Sequence, residues 1–195
     1  MNLHEQIARY RPFNEQEEKD KAILLHALET NECCFDRSSQ AHFTCSAWVI
    51  DESYSATVMV YHNIYNSWSW IGGHADGCRD LQAVALRELA EETGITHACI
   101  VPWKIESQNA ECVSPIFSLE VLTVDGHEKH GEYVSSHLHL NVTYLVKANR
   151  EEHLRVKPDE NSGVRWVLLS DVLSSSTEPW IRDRIYAKLL SKLRK

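Results

Sequence analysis

The sequence lacks the features that mark a cysteine-based metal ribbon, a secreted disulfide framework or a membrane span. Its six cysteines form no C-x-x-C pair, and no apolar run approaches the length of a bilayer. The first residues, MNLHEQIARYR, contain no apolar segment of the signal-peptide type. We therefore expect a cytoplasmic protein with reduced cysteines and no membrane partner.

Excess positive charge is also absent. The 195 residues include 28 acidic and 20 basic side chains, which gives a formal net charge of −8. Such a surface does not attract nucleic acid over a broad face, so no nucleic-acid partner is expected. An anionic substrate would need local cations, and bound metal is one way to supply them.

Repeats, low-complexity tracts and convincing linkers are missing too, which predicts a single domain over residues 1–195. Residues 1–35 are predicted as a helical extension, with a helix from Asn14 to Thr30 whose N-cap is Asn14 and in which Glu17 completes a capping-box-like pattern. Residues 36–195 are predicted as the core, which ends in a helix from Glu178 to Leu193. Strands are predicted at 42–50, 55–62, 99–107, 116–124, 137–148 and 162–170. Because this order is not a regular βαβα alternation, it favours an α/β sandwich.

The clearest predicted helix, residues 81–93, carries the segment RELAEETGI near its end. With about 3.6 residues per turn, Glu88, Glu91 and Glu92 share one face, beside the apolar stripe of the helix. Like charges at this spacing repel and destabilise a helix, so either solvent or a ligand must offset the repulsion. Two interpretations stay open from spacing alone: a solvated acidic face, or a site for Mg2+ or Mn2+, which prefer oxygen ligands.

The longer stretch IGGHADGCRDLQAVALRELAEETGI resembles the signature of the Nudix hydrolase family, G-x5-E-x7-R-E-U-x-E-E-x-G-U, with U an aliphatic residue. The positions in register are Gly73, Arg87, Glu88, Leu89, Glu91, Glu92, Gly94 and Ile95. One position departs, because Arg79 stands where the family has its first glutamate. Asp76 and Asp80 flank this change, and either is a candidate to replace the lost charge.

The resemblance implies a Nudix-type α/β/α sandwich with a mixed sheet, to which this chain adds the N-terminal helix. It also implies a metal-dependent pyrophosphohydrolase that cleaves a nucleoside diphosphate linked to another moiety, or a similar small diphosphate. Many members dimerise, so a homodimer is one implied arrangement. Two alternatives stay open: an enzyme similar to isopentenyl-diphosphate isomerase, which would need Cys45 or Cys78 as a reactive thiol, and a non-catalytic nucleotide-binding domain.

Carried over to this chain, the family's site implies that Mg2+ or Mn2+ is held by the Gly72 carbonyl and by Glu88, Glu91 and Glu92. Glu88 or Glu91 is implied as the general base, and Arg87 is placed to hold Glu91 four residues on. A base from a later loop is a further option, with four candidates: Glu128, Glu132, Asp159 and Glu160.

Substrate contacts are expected next to the metal ligands. Gly73 and His74 lie in the glycine loop, and Trp70 just before it is a candidate to stack on a nucleobase, although core packing is the plainer interpretation of the tryptophans. A second metal or phosphate site is a further hypothesis for the histidines His42, His74, His127, His130, His137 and His139. His137 and His139 share one strand face, and a hydrogen-bonded strand face is the plainer interpretation there.

Overall fold

The computed structural model describes residues 1–64, 66–105, 112–129 and 131–194, and the elements below lie within these ranges. The helices are α1 Leu3–Arg9, α2 Glu15–Thr30, α3 Leu81–Thr93, α4 Val172–Ser175 and α5 Ala187–Leu193, with a π-helical segment at Ile181–Tyr186. The strands are β1 Ala41–Ile50, β2 Ala56–His62, β3 Ser67–Ser69, β4 Ile71–His74, β5 Ala98–Ile100, β6 Trp103–Ile105, β7 Cys112–Ser114, β8 Ile116–Val124, β9 His127–Lys129, β10 Glu132–Val134, β11 His137–Ala148 and β12 Asn161–Leu168.

An eight-stranded mixed sheet forms the framework. Its hydrogen-bonded order is β12-β2-β1-β11-β5, and β3 pairs with β2, β4 with β1, and β8 with β11. The long strands β1 and β11 read as nearly continuous buried runs, as expected for strands inside a sheet that is covered on its faces. A mixed sheet with helices on both sides is the α/β/α sandwich that the resemblance implied, and that prediction is confirmed.

The chain divides into two compact units. The first contains Met1–Cys45, Gly73–Val84 and Pro102–Thr143, and the second contains Ser46–Gly72, Ala85–Val101 and Tyr144–Lys195. The prediction of one domain over residues 1–195 stays a prediction.

In the first unit, the N-terminal helices are fastened to strand β8 by a buried carboxylate. Glu17 is fully buried and accepts hydrogen bonds from the Tyr10 hydroxyl at 2.7 Å, the Phe13 N–H at 2.8 Å and the Ser118 hydroxyl at 2.7 Å. Asp20, one turn further along α2, accepts from the β8 backbone N–H of Val121 at 2.9 Å. A buried carboxylate needs such donors, so the extension is packed against the sheet through polar contacts.

Two N-terminal details differ from the sequence predictions. Asn14 caps α2 as predicted, accepting from the Glu17 N–H at 3.0 Å, but the Glu17 side chain turns inward and does not complete a capping box. The full capping box lies at Asn2 and Glu5, at the start of a separate short helix, α1, that periodicity did not predict.

Two further segments differ from the sequence predictions. Residues 125–136, between two predicted strands, contain a hairpin of β9 and β10, in which Tyr133 lies opposite Glu128. The closing helix is present, but its first half, Ile181–Tyr186, is π-helical. Short hairpins of polar residues and π-helical turns carry little signal in hydrophobic periodicity, which explains both differences.

In the second unit, β2 pairs antiparallel with β12, where Trp166 lies opposite Val58. Strand β2 also pairs antiparallel with β3, where Tyr61 lies opposite Trp68. The closing helical segment packs here, because the buried Tyr186 ring lies 5.5 Å from the ring of Trp48. Within the described ranges, none of the helices combines the length and the apolar character needed to cross a bilayer.

Candidate active site

Helix α3 carries the three glutamates beside its buried apolar face. Its first turn is capped by Asp80, whose carboxylate accepts the Ala83 N–H at 3.1 Å. Its end is set by Gly94, which has φ +81° and whose N–H closes the last turn on the Ala90 carbonyl at 3.0 Å. The predicted apolar stripe is confirmed: Leu81, Ala85 and Leu89 are buried. The helix boundaries and the cap are those that the sequence predicts.

Glu92 is the most enclosed of the three carboxylates, with 4% of its surface exposed. The backbone N–H of Gly72 donates to its Oε1 at 3.1 Å. The pKa of Glu92 is raised to about 8: burial is the main cause and the charges of Glu160 and Glu88 add to it, whereas the Gly72 hydrogen bond and the charge of Lys157 lower it. This carboxylate is therefore short of positive charge, which is the condition that a bound divalent cation would relieve.

Glu88 lies one helical turn earlier. Burial raises its pKa, as do the charges of Glu91 and Glu160, and Arg87 opposes this shift. The Arg87 Nη2 donates to Glu88 Oε1 at 3.0 Å, while its Nε lies 3.8 Å from Glu91 Oε1. Arg87 thus reaches Glu91 as predicted, but its closer contact is with Glu88.

Among the late-loop carboxylates, the structure brings Glu160 to the glutamate cluster. Lys157 Nζ donates to Glu160 Oε1 at 2.9 Å and lies 3.5 Å from Glu91 Oε2, so one ammonium group links a loop carboxylate to the helix. Burial lowers the pKa of Lys157, but the hydrogen bond and charge of Glu160, followed by the charge of Glu91, outweigh it and raise the pKa. Asn161, the next residue, donates from Nδ2 to the Glu92 carbonyl at 3.2 Å and holds this loop against the end of α3.

The other three candidates lie elsewhere. Glu128 and Glu132 are exposed on the β9–β10 hairpin, in the first unit, and Asp159 is exposed in the loop before β12. Lys157 was missed by sequence reasoning. Its signal was present in the segment KPDEN, where a lysine stands three residues before the candidate glutamate.

Trp70 takes part in a packed aromatic contact. Its ring meets the Tyr186 ring edge-on at 5.6 Å, and its backbone N–H donates to the Tyr186 hydroxyl at 3.0 Å. The ring is half-buried, so it combines core packing with a partly open face.

His74, at the end of β4, lies in a cluster with three other histidines of the first unit. One side-chain nitrogen from each of His42, His74, His137 and His139 lies within 4.8 Å of the other three. His127 is more distant, with its ring 6.4 Å from that of His137. His130 lies outside the described residues.

Arg79, the departure from the family pattern, packs against the N-terminal segment. Its guanidinium carbon lies 4.7 Å above the Phe35 ring, and the Gly77 N–H donates to the Phe35 carbonyl at 2.8 Å. The two flanking aspartates are engaged as well: Asp76 pairs with Arg37, its Oδ1 accepting from Nε at 2.6 Å, and Asp80 caps α3. The loop at residues 76–80 is thus held by its contacts with Phe35, with Arg37 and with the start of α3.

The donor chemistry of this site fits a hard divalent cation. It offers three carboxylates on one helix face and a glycine backbone next to one of them, all oxygen donors of the type that Mg2+ and Mn2+ take. Burial is the main cause of the raised pKa values of Glu88 and Glu92, and neighbouring carboxylates add to it, so the charged forms of both side chains are disfavoured without a nearby cation.

Comparisons with known proteins find a NUDIX domain and NUDIX structures. The family model described as NUDIX domain matches residues 42–189. No curated protein matches the chain significantly. Solved structures share its fold. The dihydroneopterin triphosphate pyrophosphohydrolase of E. coli is 12% identical with a TM-score of 0.54, over 76% of this chain and 95% of that chain.

Two further solved structures give similar values. A NUDIX family hydrolase from Clostridium perfringens is 15% identical with a TM-score of 0.52, over 78% of this chain and 96% of that chain. The MutT protein from Methanosarcina mazei Go1 is 18% identical with a TM-score of 0.50, over 78% of this chain and 95% of that chain.

Proposed function

The chain belongs to the NUDIX family, and on that premise we propose that it is a metal-dependent pyrophosphohydrolase whose substrate is a nucleoside diphosphate linked to another moiety. Membership confirms the recognition and the assignment to the hydrolases that act on pyrophosphate bonds. The metal dependence, the substrate class and the residue roles are our proposal.

The observation that carries this proposal is the enclosure of Glu92. A carboxylate that is 4% exposed and has its pKa raised to about 8 is costly for the folded protein. Perturbed carboxylates of this kind concentrate at functional sites, where a ligand or a reaction uses the perturbation. The acidic face is therefore better explained as a cation site than as a solvated surface.

Glu88, Glu91 and Glu92, with the Gly72 carbonyl, are the groups that would hold Mg2+ or Mn2+. When bound, the cation would neutralise phosphate charge and make a water molecule more acidic. Arg87 would keep Glu88 in position through its 3.0 Å hydrogen bond.

The proton of the attacking water needs a carboxylate acceptor. Sequence reasoning offered Glu88, Glu91 or a later residue, and the contacts of Lys157 favour Glu160. That side chain comes from a different element than the helix glutamates, yet Lys157 ties it to Glu91. We assign Glu160 as the general base, which leaves Glu88 and Glu91 to the cation.

Substrate contacts are proposed for the glycine loop and for Trp70. Gly73 has no side chain, so a phosphate can approach its backbone closely, and the partly open ring of Trp70 could stack on a base. His74 stays a prediction as a phosphate contact, and its surroundings favour another role that is argued below. The cytoplasmic location and the homodimer also stay predictions.

A screen of nucleoside diphosphate derivatives, read out by released phosphate products with Mg2+ or Mn2+, tests the function. The wild type should hydrolyse at least one substrate, and Glu92→Gln should lose that activity without loss of the fold. Glu151→Gln, which alters an exposed glutamate of the same unit, is the matched control and should retain it. Metal-dependent turnover that survives in Glu92→Gln would overturn the proposal. Ligand-induced thermal stabilisation without any turnover would instead favour the non-catalytic binding domain.

A further inference from the structure

Four histidine side chains of the first unit converge from three strands. His42 is on β1, His74 ends β4, and His137 and His139 are on β11. The centroid of the His42 ring lies 5.2 Å from that of His74 and 5.1 Å from those of His137 and His139. The His139 ring is 4.9 Å from His74 and 5.0 Å from His137. Nothing in the proposed pyrophosphohydrolase mechanism requires this set.

The backbone explains why these rings meet. His137 and His139 alternate along β11 and so point to the same face of the strand. Strands β1 and β4 pair, and the Ala75 N–H, next to His74, donates to the carbonyl of Phe43, next to His42, at 3.1 Å. The four rings are therefore held together by the strands β1, β4 and β11 on which they lie.

Backbone carbonyls set the tautomers of two of the rings. His42 Nδ1 lies 2.8 Å from the Ser39 carbonyl, and His137 Nδ1 lies 2.8 Å from the Ser135 carbonyl. A carbonyl only accepts hydrogen bonds, so each Nδ1 carries a hydrogen, and in the neutral form of each ring Nε2 carries a lone pair. This is the arrangement that orients metal-ligating histidines, in which the second nitrogen donates to a backbone oxygen.

In these two tautomers Nε2 is the nitrogen that can bind a metal ion. Nε2 of His42 is buried and has no hydrogen-bond partner among the residues that the structure describes, which is unusual for a buried polar atom. The Nε2 atoms of His137 and His139 are 3.2 Å apart. In a tetrahedral zinc site with Zn–N bonds of about 2.0–2.1 Å, the nitrogens are about 3.3 Å apart. This one pair thus already has the spacing of two zinc ligands, and the four candidate nitrogens lie within 4.8 Å of one another.

We propose that His42, His74, His137 and His139 form a tetrahedral site for a first-row transition ion of the Zn2+ type, separate in its ligands from the glutamate set. Neutral imidazole suits zinc and its neighbours, whereas Mg2+ and Ca2+ require oxygen donors. His42 is buried and the other three rings are half-buried, so the site is both structured and accessible. A bound ion would cross-link β1, β4 and β11 and would contribute folding free energy.

Co2+ is the probe that tests this site, because tetrahedral Co2+ absorbs visible light far more strongly than octahedral Co2+. Full-length protein, stripped of metal with a chelator, is titrated with Co2+ and then with Zn2+. We expect one equivalent of Co2+ with a tetrahedral spectrum that Zn2+ displaces. Mg2+ should not displace it.

Variants separate the histidine site from other metal binding. His42→Gln and His139→Gln should each lose the tetrahedral spectrum and weaken Zn2+ binding by at least about 10-fold. His137→Gln, at a less buried position, repeats the test in case the other two fail to fold, with circular dichroism as the check on folding. His97→Gln, which alters an exposed histidine of the second unit, is the matched control and should bind as the wild type does.

Glu92→Gln should keep the tetrahedral Co2+ spectrum, since the proposed ligands of that ion are histidines and not the carboxylates of α3. Two results would overturn the inference: a wild type that gives only the weak octahedral spectrum, or folded His137→Gln protein with unchanged Zn2+ affinity. In either case the cluster is a hydrogen-bonded strand face. None of these measurements depends on turnover, so they remain decisive whether or not the proposed hydrolase activity is found.

Discussion

Asp51 and Glu92 are carboxylates of the second unit that expose the same fraction of their surface, 4% each, but their pKa values move in opposite directions. Burial raises the pKa of Glu92 to about 8, and a backbone N–H offsets this only in part. Burial also favours a raised pKa for Asp51, but hydrogen bonds from the Ser53 hydroxyl and from Ala56 and Ser55 outweigh it and lower the pKa to about 2. Equal exposed surface therefore does not give equal pKa values. Glu92 lies deep in the protein near like charges and has one backbone donor, whereas Asp51 lies close to the surface and accepts several hydrogen bonds.

The two environments suit different purposes. Asp51 closes the β1–β2 turn, where its oxygens accept from the Ser55 N–H at 2.7 Å and the Ala56 N–H at 3.0 Å. Such a carboxylate is complete within the protein and stabilises it. Glu92 lies instead near the like charges of Glu88 and Glu160. A carboxylate left short of donors indicates an interaction that is completed by a ligand.

The largest expected effect is on catalysis at the glutamate helix. On the proposed function, Glu88→Gln removes a charge that would hold the cation, so kcat/KM with Mg2+ should fall by about 100- to 1,000-fold, the range found when one preorganised electrostatic group is lost. Asp51→Asn is the matched change of a carboxylate to an amide in the same unit. It should retain kcat at a temperature at which it is folded. Equal losses of activity in the two variants would contradict the distinction between these carboxylates.

Glu160→Gln is expected to come next, with a fall in kcat of about 100-fold, the lower range for loss of a general base. Asp159→Asn changes the adjacent exposed carboxylate and should leave the rate unchanged. If Asp159→Asn produces the loss and Glu160→Gln does not, the base has been assigned to the wrong residue.

Asp51 should contribute stability that depends on pH. Its pKa is about 2 in the folded protein and 3.8 for the free side chain. The contribution, about 2 kcal/mol, is therefore fully present above pH 4 and is lost as the pH falls from about 4 to 2. Urea unfolding at pH 7, 4 and 3 should show a difference between wild type and Asp51→Asn that narrows toward acid. Asp125→Asn, at an exposed position, should show no such difference, and a gap that stays constant with pH would refute the account.

Side chains that share one helix or strand could be placed together from the sequence. Contacts between side chains of different elements mostly could not. Glu88, Glu91 and Glu92 share one helix face, so their proximity follows from helical periodicity and the family signature. Glu160 could only be offered beside Glu128, Glu132 and Asp159, because its approach depends on how the loop before β12 folds.

The histidine cluster shows the same limit. His137 and His139 were predicted to share a strand face because they alternate on one strand. Whether His42 and His74 join them depends on the pairing of β1 with β4 and on the course of β11, which periodicity does not specify. The Lys157 link and the enclosure of Glu92 are likewise tertiary properties.

Arg79 is expected to have the smallest effect, and it tests whether the glutamate helix needs the carboxylate that the family has there. The guanidinium stacks on Phe35 at 4.7 Å, so Arg79→Ala should lower the free energy of unfolding by about 0.5–1 kcal/mol, the range for an exposed cation–π contact. Since the contact is structural, kcat/KM should stay within about 3-fold of the wild type, a change of under 1 kcal/mol in transition-state stabilisation. Arg79→Lys retains a cation and should recover part of the stability. A gain in activity on Arg79→Glu, with the stability loss of Arg79→Ala, would show instead that the site lacks a carboxylate at this position.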